Sequence, residues 1–139
     1  MVKADGARMR GIKAPRQDEP IIPAATDVVL HLCSAAVLGA PLDEAVAHRP
    51  ERLGPVIGAA PGEPLRPEHL AKLIASPEGA GKGVGQARLV AVINQVDDDA
   101  RLQGAREAAE QPSGEGTAER VVLAAMRAAE PVQEVVRRR

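Results

Sequence analysis

The sequence contains no Phe, Tyr or Trp. Any core must therefore be assembled from Val, Leu, Ile, Met and Ala, each of which buries less area than an aromatic side chain. The same absence removes the stacking platforms on which single-strand nucleic-acid binders seat bases. Cysteine is nearly absent too. Cys33 stands alone, which excludes an internal disulfide and fits a reducing compartment. No apolar run approaches the length of a membrane span, and MVKADGARMRG has cations without an apolar stretch behind them, unlike a secretory signal. The expected location is the cytoplasm. Neither sign of charge dominates: 18 Lys+Arg face 19 Asp+Glu, leaving no field to recruit nucleic acid or anionic lipid. Nucleic acid and membrane are therefore not expected partners.

What is present reads as an α/β pattern. The 139 residues suit one domain with a modest core. Residues 1–4 look like the tail of a strand. Residues 5–25 and 37–66 are punctuated by Gly and Pro and read as loop. Between them TDVVLHLC, residues 26–33, is a nearly continuous apolar run that predicts a strand buried on both faces. Pro67 predicts a helix start, with Leu70, Leu73 and Ile74 on one face and Ser76-Pro77 ending it. ARLVAVINQ, residues 87–95, is the clearest strand. Asp97, Asp98 and Asp99 then cap and favourably charge a helix running to about Gln111. Residues 111–119 read as a polar linker, RVVLAAM as another buried strand, and Pro131 as the start of a short final helix. Strands alternating with helices predict a mainly parallel sheet.

Two motifs in this frame suggest nucleotide chemistry. Asn94-Gln95-Val96-Asp97 ends a buried strand, at the sheet edge where open α/β folds bind ligands. An Asp there can accept from the N1–H and exocyclic amine of guanine, and an Asn can bond the opposite purine edge. This is the logic of the N-K-x-D signature, with Gln95 in place of its lysine. Equally, Asn94 can end the strand and Asp97 can cap the helix. Asp5-Gly6 follows a strand, where an Asp commonly holds Mg²⁺ and the next N–H reaches a terminal phosphate. Asp-Gly is also among the commonest turn pairs.

Taken in order, these segments resemble the YqeC family. Ala4, Asp5 and Gly6 match its Ala-Asp-Gly; Ile12, Lys13, Ala14 and Pro15 match Leu-Lys-Ala-Pro; Glu19, Pro20, Ile21, Ile22 and Pro23 match Glu-Pro-Val-Ile-Pro. His48, Arg49, Pro50 and Glu51 reproduce its His-Arg-Pro-Glu. Pro77, Glu78, Gly79, Lys82 and Gly83 keep its spacing, VAVINQVDD matches its strand and Asn-Lys-x-Asp element, and EPVQEV its usual ending. The resemblance implies an accessory factor for maturation of selenium-dependent molybdenum hydroxylases, related to nucleotide-binding proteins. It implies GTP or ATP with Mg²⁺ as ligand, and the hydroxylase or its maturation machinery as partner. The implied fold is a P-loop-NTPase-like sheet whose opening strand, glycine-rich loop and helix would precede Met1, so residues 1–139 read as one incomplete domain, truncated at its N-terminus. The alternatives are a non-catalytic protein-binding remnant, or an α/β domain without nucleotide binding.

Two departures accompany the resemblance. Lys3 stands where the family has a glutamate, and a cation there competes with any metal at Asp5. GAGKG, residues 79–83, does not substitute for a phosphate loop. The required Gly and Ser/Thr positions hold Ser76 and Gly83, and the stretch precedes a strand rather than a helix. The chain alone is therefore not expected to catalyse phosphoryl transfer. Loss of a neighbouring strand would leave a bare sheet edge, and self-association through it is expected. His31 and Cys33 share one side of their strand, and with His48 or His69 could make a metal site, but no spacing resembles a zinc signature. The loop pair His48-Arg49 suits an anionic ligand or an N-terminal partner domain.

Overall fold

A computed structural model describes residues 10–111 and 118–137. Asp5, Gly6 and the strand tail expected at residues 1–4 lie outside them. In chain order the elements are β1 (Ile12–Lys13), β2 (Val28–Ser34), a 3-10 turn over Ala35–Val37, β3 (Ala47–His48), α1 (Pro50–Ile57), α2 (Pro67–Ala75), β4 (Arg88–Asn94), α3 (Asp99–Glu110), β5 (Ala118–Ala124) and β6 (Val132–Arg137). Four strands form a sheet in the order β2-β4-β5-β6, and β1 pairs separately with β3. The β2–β4 and β4–β5 pairs are parallel, and β5–β6 is antiparallel. The chain is thus α/β with a mixed, mostly parallel sheet.

Register explains which side chains build the core. Cys33 lies beside Ile93, which lies beside Leu123, and His31 beside Ala91 beside Val121. Except for partly buried His31, these side chains join Leu53, Ile57, Leu70, Leu73 and Ile74 of α1 and α2, and Ala105 and Ala108 of α3, in one aliphatic cluster. All three helices therefore cover the same face. Among the described residues no helix is long and apolar enough to cross a membrane.

α2 starts at Pro67 and stops before Ser76, as the sequence predicts. Its buried His69 joins two turns: Nδ1 accepts from the Arg66 N–H at 2.9 Å, while Nε2 faces the Glu63 carboxylate at 3.1 Å. β4 also lies where expected.

Four expectations need correction. Stretch 26–33 is not buried on both faces, because Leu30 and Leu32 of β2 are 48% and 57% exposed; an apolar run does not say what covers it. The stretch 37–66 holds α1, which Gly54 and Pro55 disguise. It starts on Pro50 after left-handed Arg49 and ends on left-handed Gly58, while its inward Leu53, Gly54 and Ile57 are buried. Gly54 is required there, since a Cβ would stand 2.7 Å from the Ala59 carbonyl oxygen. The segment after Pro131 is the strand β6, not a helix. Its valines satisfy either period, and antiparallel pairing with β5 decides between them. Finally, Ala118 and Glu119 belong to β5 rather than to the linker read over 111–119.

Candidate functional site

The first cluster gathers five residues that the sequence scatters over three loops. Parallel pairing of β1 with β3 sets Lys13 beside His48, and the next residue, Arg49, turns into the left-handed region at φ 60° before Pro50 opens α1. Both cations converge on one carboxylate. Lys13 Nζ lies 3.3 Å and Arg49 Nη1 3.0 Å from Glu19 Oε1, with Arg16 Nε at 3.6 Å. Arg49 Nη1 also donates to the Ala14 carbonyl at 3.2 Å, and Lys82 Nζ donates to the Arg16 carbonyl. The side chains of Lys13, Glu19 and Arg49 are largely withdrawn from solvent. Burial pushes the Glu19 carboxyl up, but the Arg16 N–H, Lys13 and Arg49 outweigh it and hold the group below its ordinary value. The result ties residues 13–19, 48–49 and 82 together.

The second cluster lies at the C-terminal edge of the sheet, and a close backbone contact joins it to the first. The Ser34 N–H donates to the Gly11 carbonyl at 2.8 Å. Gly11 permits this approach, since a Cβ there would meet Val37 Cγ1 at 2.7 Å. Ser34 is the register partner of Asn94, and its hydroxyl donates to Gln95 Oε1. Gln95 itself is left-handed, at φ 61°. The chain is pinned again where the Val96 N–H donates to the Ala124 carbonyl at 3.1 Å.

Within this turn, Asn94 and Asp97 are placed differently. Asn94 Oδ1 is buried and has no hydrogen-bond partner among the described residues. Asp97 is 49% exposed, and Arg101 Nη1 lies 3.5 Å from its carboxylate. The sequence expects the three aspartates to share the capping of α3, but Asp98 does that work. Its Oδ1 accepts from the Arg101 N–H at 2.8 Å. Asp97 is thereby free of capping duty.

Sequence reasoning missed Ser34, Arg16 and Arg101. Ser34 carries a usable signal, since it ends a strand at the edge where ligands bind in such sheets. The two arginines carry a local one, since Arg16 stands three residues before Glu19 and Arg101 four after Asp97, spacings at which opposite charges meet within a turn. No side chains assemble into a metal centre: among the described residues no group of three or more His, Cys, Asp and Glu side chains converges. Cys33 is buried, and desolvation pushes its thiol up to about 12. Along α1 runs an open cleft of about 510 Å³, lined mainly by Pro, Gly and aliphatic residues with Glu51; it offers no convergent polar groups.

Comparison with known proteins now adds to this geometry. Residues 1–51 match the family described as YqeC protein, a stretch that contains Lys13, Glu19, His48 and Arg49. A curated relative, "Uncharacterized protein YqeC" of Escherichia coli (strain K12), is 33% identical over 96 residues. That match covers 68% of this chain but 38% of the relative. No solved structure matches the chain.

Proposed function

We propose, from the premise that this chain belongs to the YqeC family, that it supplies the base-recognising edge of a purine-nucleotide-binding protein. Its sheet is of P-loop-NTPase-like type, and the whole protein serves maturation of a selenium-dependent molybdenum hydroxylase. One observation carries the nucleotide reading. Asn94 Oδ1 is a buried acceptor with no partner among the described residues, at the C-terminal edge of parallel strands. Leaving such an atom unsatisfied costs about 1–3 kcal/mol, and a ligand N–H would relieve it. Asp97, released from capping and half exposed, offers a carboxylate three residues on.

These two side chains select different bases. A carboxylate at Asp97 suits the adjacent N1–H and amine of guanine. An acceptor at Asn94 suits an exocyclic amine on the other purine edge, which adenine has. Gln95 turns its amide oxygen toward Ser34, so only its stem remains to cover a base. The residues present fit the base side of a nucleotide, and no step through Mg²⁺ follows from them.

Titration of isotope-labelled chain with GMP and AMP, followed by amide chemical shifts, tests the reading. Millimolar purine nucleotide is expected to move the Asn94, Gln95 and Asp97 signals, and a stronger response to GMP, abolished by Asp97→Ala, assigns recognition to the carboxylate. A stronger response to AMP assigns recognition to Asn94 Oδ1 instead. Silence with both nucleotides removes the proposal. A second expectation concerns turnover. The chain as it stands should release phosphate from GTP or ATP no faster than buffer, since the loop at 79–83 lies between α2 and β4 and lacks phosphate-loop geometry. Turnover above that background, lost in Asp97→Ala, would contradict it.

A further inference from the structure

Arg49 is largely withdrawn from solvent, yet it spends only one nitrogen. Its side chain is 18% exposed, and both its contacts, to Glu19 Oε1 and to the Ala14 carbonyl, run through Nη1. Nε and Nη2, the N–H groups along one side of the guanidinium, bond nothing among the described residues. Such a pair is the fork with which arginine grips carboxylate or phosphate through two parallel hydrogen bonds. The backbone around it is held in place. Lys13 and His48 are register partners, and the Ala14 N–H donates to the His48 carbonyl at 3.3 Å.

Glu19 does not match the donors offered to it. Lys13 Nζ at 3.3 Å, Arg49 Nη1 at 3.0 Å, the Arg16 N–H at 3.3 Å and Arg16 Nε at 3.6 Å all address the same oxygen, Oε1. A single carboxylate oxygen has about two lone-pair sites, so these donors crowd one acceptor. Lys82 brings a further cation, donating to the Arg16 carbonyl, while Asp18 brings a carboxylate 3.5 Å from Arg16 Nε. Lys13, Arg16, Arg49 and Lys82 thus outnumber Glu19 and Asp18, and the described side chains of the cluster keep a positive balance.

We propose that this cluster is a binding site for a tetrahedral dianion of the phosphate class, either free or as the end group of an ester. The anion takes Nε and Nη2 of Arg49 side-on, and Arg16 and Lys82 supply the remaining charge. Glu19 holds Nη1 and Lys13 in place as an inner counter-ion. A tetrahedral group spreads donors over separate oxygens, and its double charge suits the positive balance better than a single carboxylate would. The site is built on β1, β3 and the loops beside them, and it depends on no reading of Asn94 or Asp97.

The test is a titration of the isotope-labelled full chain with inorganic phosphate at constant ionic strength, above about pH 7 where the dianion prevails. Phosphate should shift the Arg49 Nε–H signal and the amides of residues 13–16 and 48–49 saturably, whereas sodium chloride and sodium acetate should not. GMP distinguishes the sources: a response to both ligands marks a site for the phosphate group itself, and a response to GMP alone marks one for its ester. Arg49→Lys keeps the charge but loses the fork, and should bind about tenfold more weakly. Glu19→Gln removes a competing negative charge and should bind at least about threefold more tightly. Phosphate should also restore part of the melting temperature that this variant loses, beyond what chloride restores. If Glu19→Gln does not fold, the wild-type titration and Arg49→Lys still decide. An Arg49 signal silent to both phosphate and GMP, an equal shift with chloride or acetate, or unchanged binding in Arg49→Lys overturns the proposal. Inorganic phosphate carries no base, so failure here leaves the base-recognising edge untouched, and failure there leaves this site untouched.

Discussion

Ile93→Ala is expected to cost about 2–5 kcal/mol of stability, enough to leave much of the chain unfolded at ordinary temperature. Ile93 is fully buried in β4, between Cys33 of β2 and Leu123 of β5 in register. Native domains hold by only about 5–15 kcal/mol in total. Here the loss falls on a core that has no Phe, Tyr or Trp. The cluster to which Ile93 belongs is rich in alanine, with Ala105, Ala108 and Ala109 from α3, and an alanine has no side-chain reach with which to refill a cavity. Ile93→Val removes one methyl group and should cost about 0.5–1.5 kcal/mol. Thermal and urea melts followed by circular dichroism distinguish the two. Equal, small losses would show that the sheet core relaxes around the gap.

The second large effect centres on Glu19. In Glu19→Gln, Lys13 and Arg49 keep their withdrawn positions but lose the carboxylate they share. Arg49 keeps the Ala14 carbonyl, but hydrogen bonds to a charged partner are worth about 1.5–3 kcal/mol, and losing this carboxylate should cost up to that. The pH dependence has a definite sign. The Glu19 carboxyl sits lower in the folded chain than its ordinary 4.5. Its contribution is therefore complete above that value and disappears as pH falls through the lowered one. Wild type should lose melting temperature below about pH 4.5, and Glu19→Gln should start lower and decline less steeply. Glu68 and Glu119 are also held low, by Arg66 and Arg88, but solvent screening keeps the share of such exposed pairs small. Parallel pH profiles in the two proteins would show that Glu19 carries no such linkage.

These effects also show where sequence reading succeeds. α2, β4 and α3 were legible because local chemistry determines them: Pro67 and Ser76-Pro77 bracket one helix, a β-branched run forms the strand, and a row of aspartates opens the other helix. β6 was not, because Val132, Val135 and Val136 fit a helix face as well as a strand, and only β5 settles the choice. α1 was hidden by residues that normally interrupt helices. At the site, the Asn94–Asp97 turn was visible, but the division of labour between Asp97 and Asp98 depends on which carboxylate meets the Arg101 N–H. The convergence of Lys13, Glu19, Arg49 and Lys82 is a property of the folded chain. The resemblance picked out these residues without revealing that Glu19 is their common centre.

Cys33 gives this protein a built-in chemical clock. With no Trp or Tyr there is no intrinsic fluorescence to report unfolding, but there is one thiol. It is 3% exposed and its ionisation is pushed up to about 12, so a disulfide reagent meets almost no reactive thiolate while β2 stays closed against the helices. Each opening of that end of β2 returns the thiol to ordinary reactivity near 8.5. When reclosing is faster than reagent attack, the slow labelling rate counts the open population directly. Opening of β2 becomes measurable by the colour of a released thiol, with no mutation of the chain.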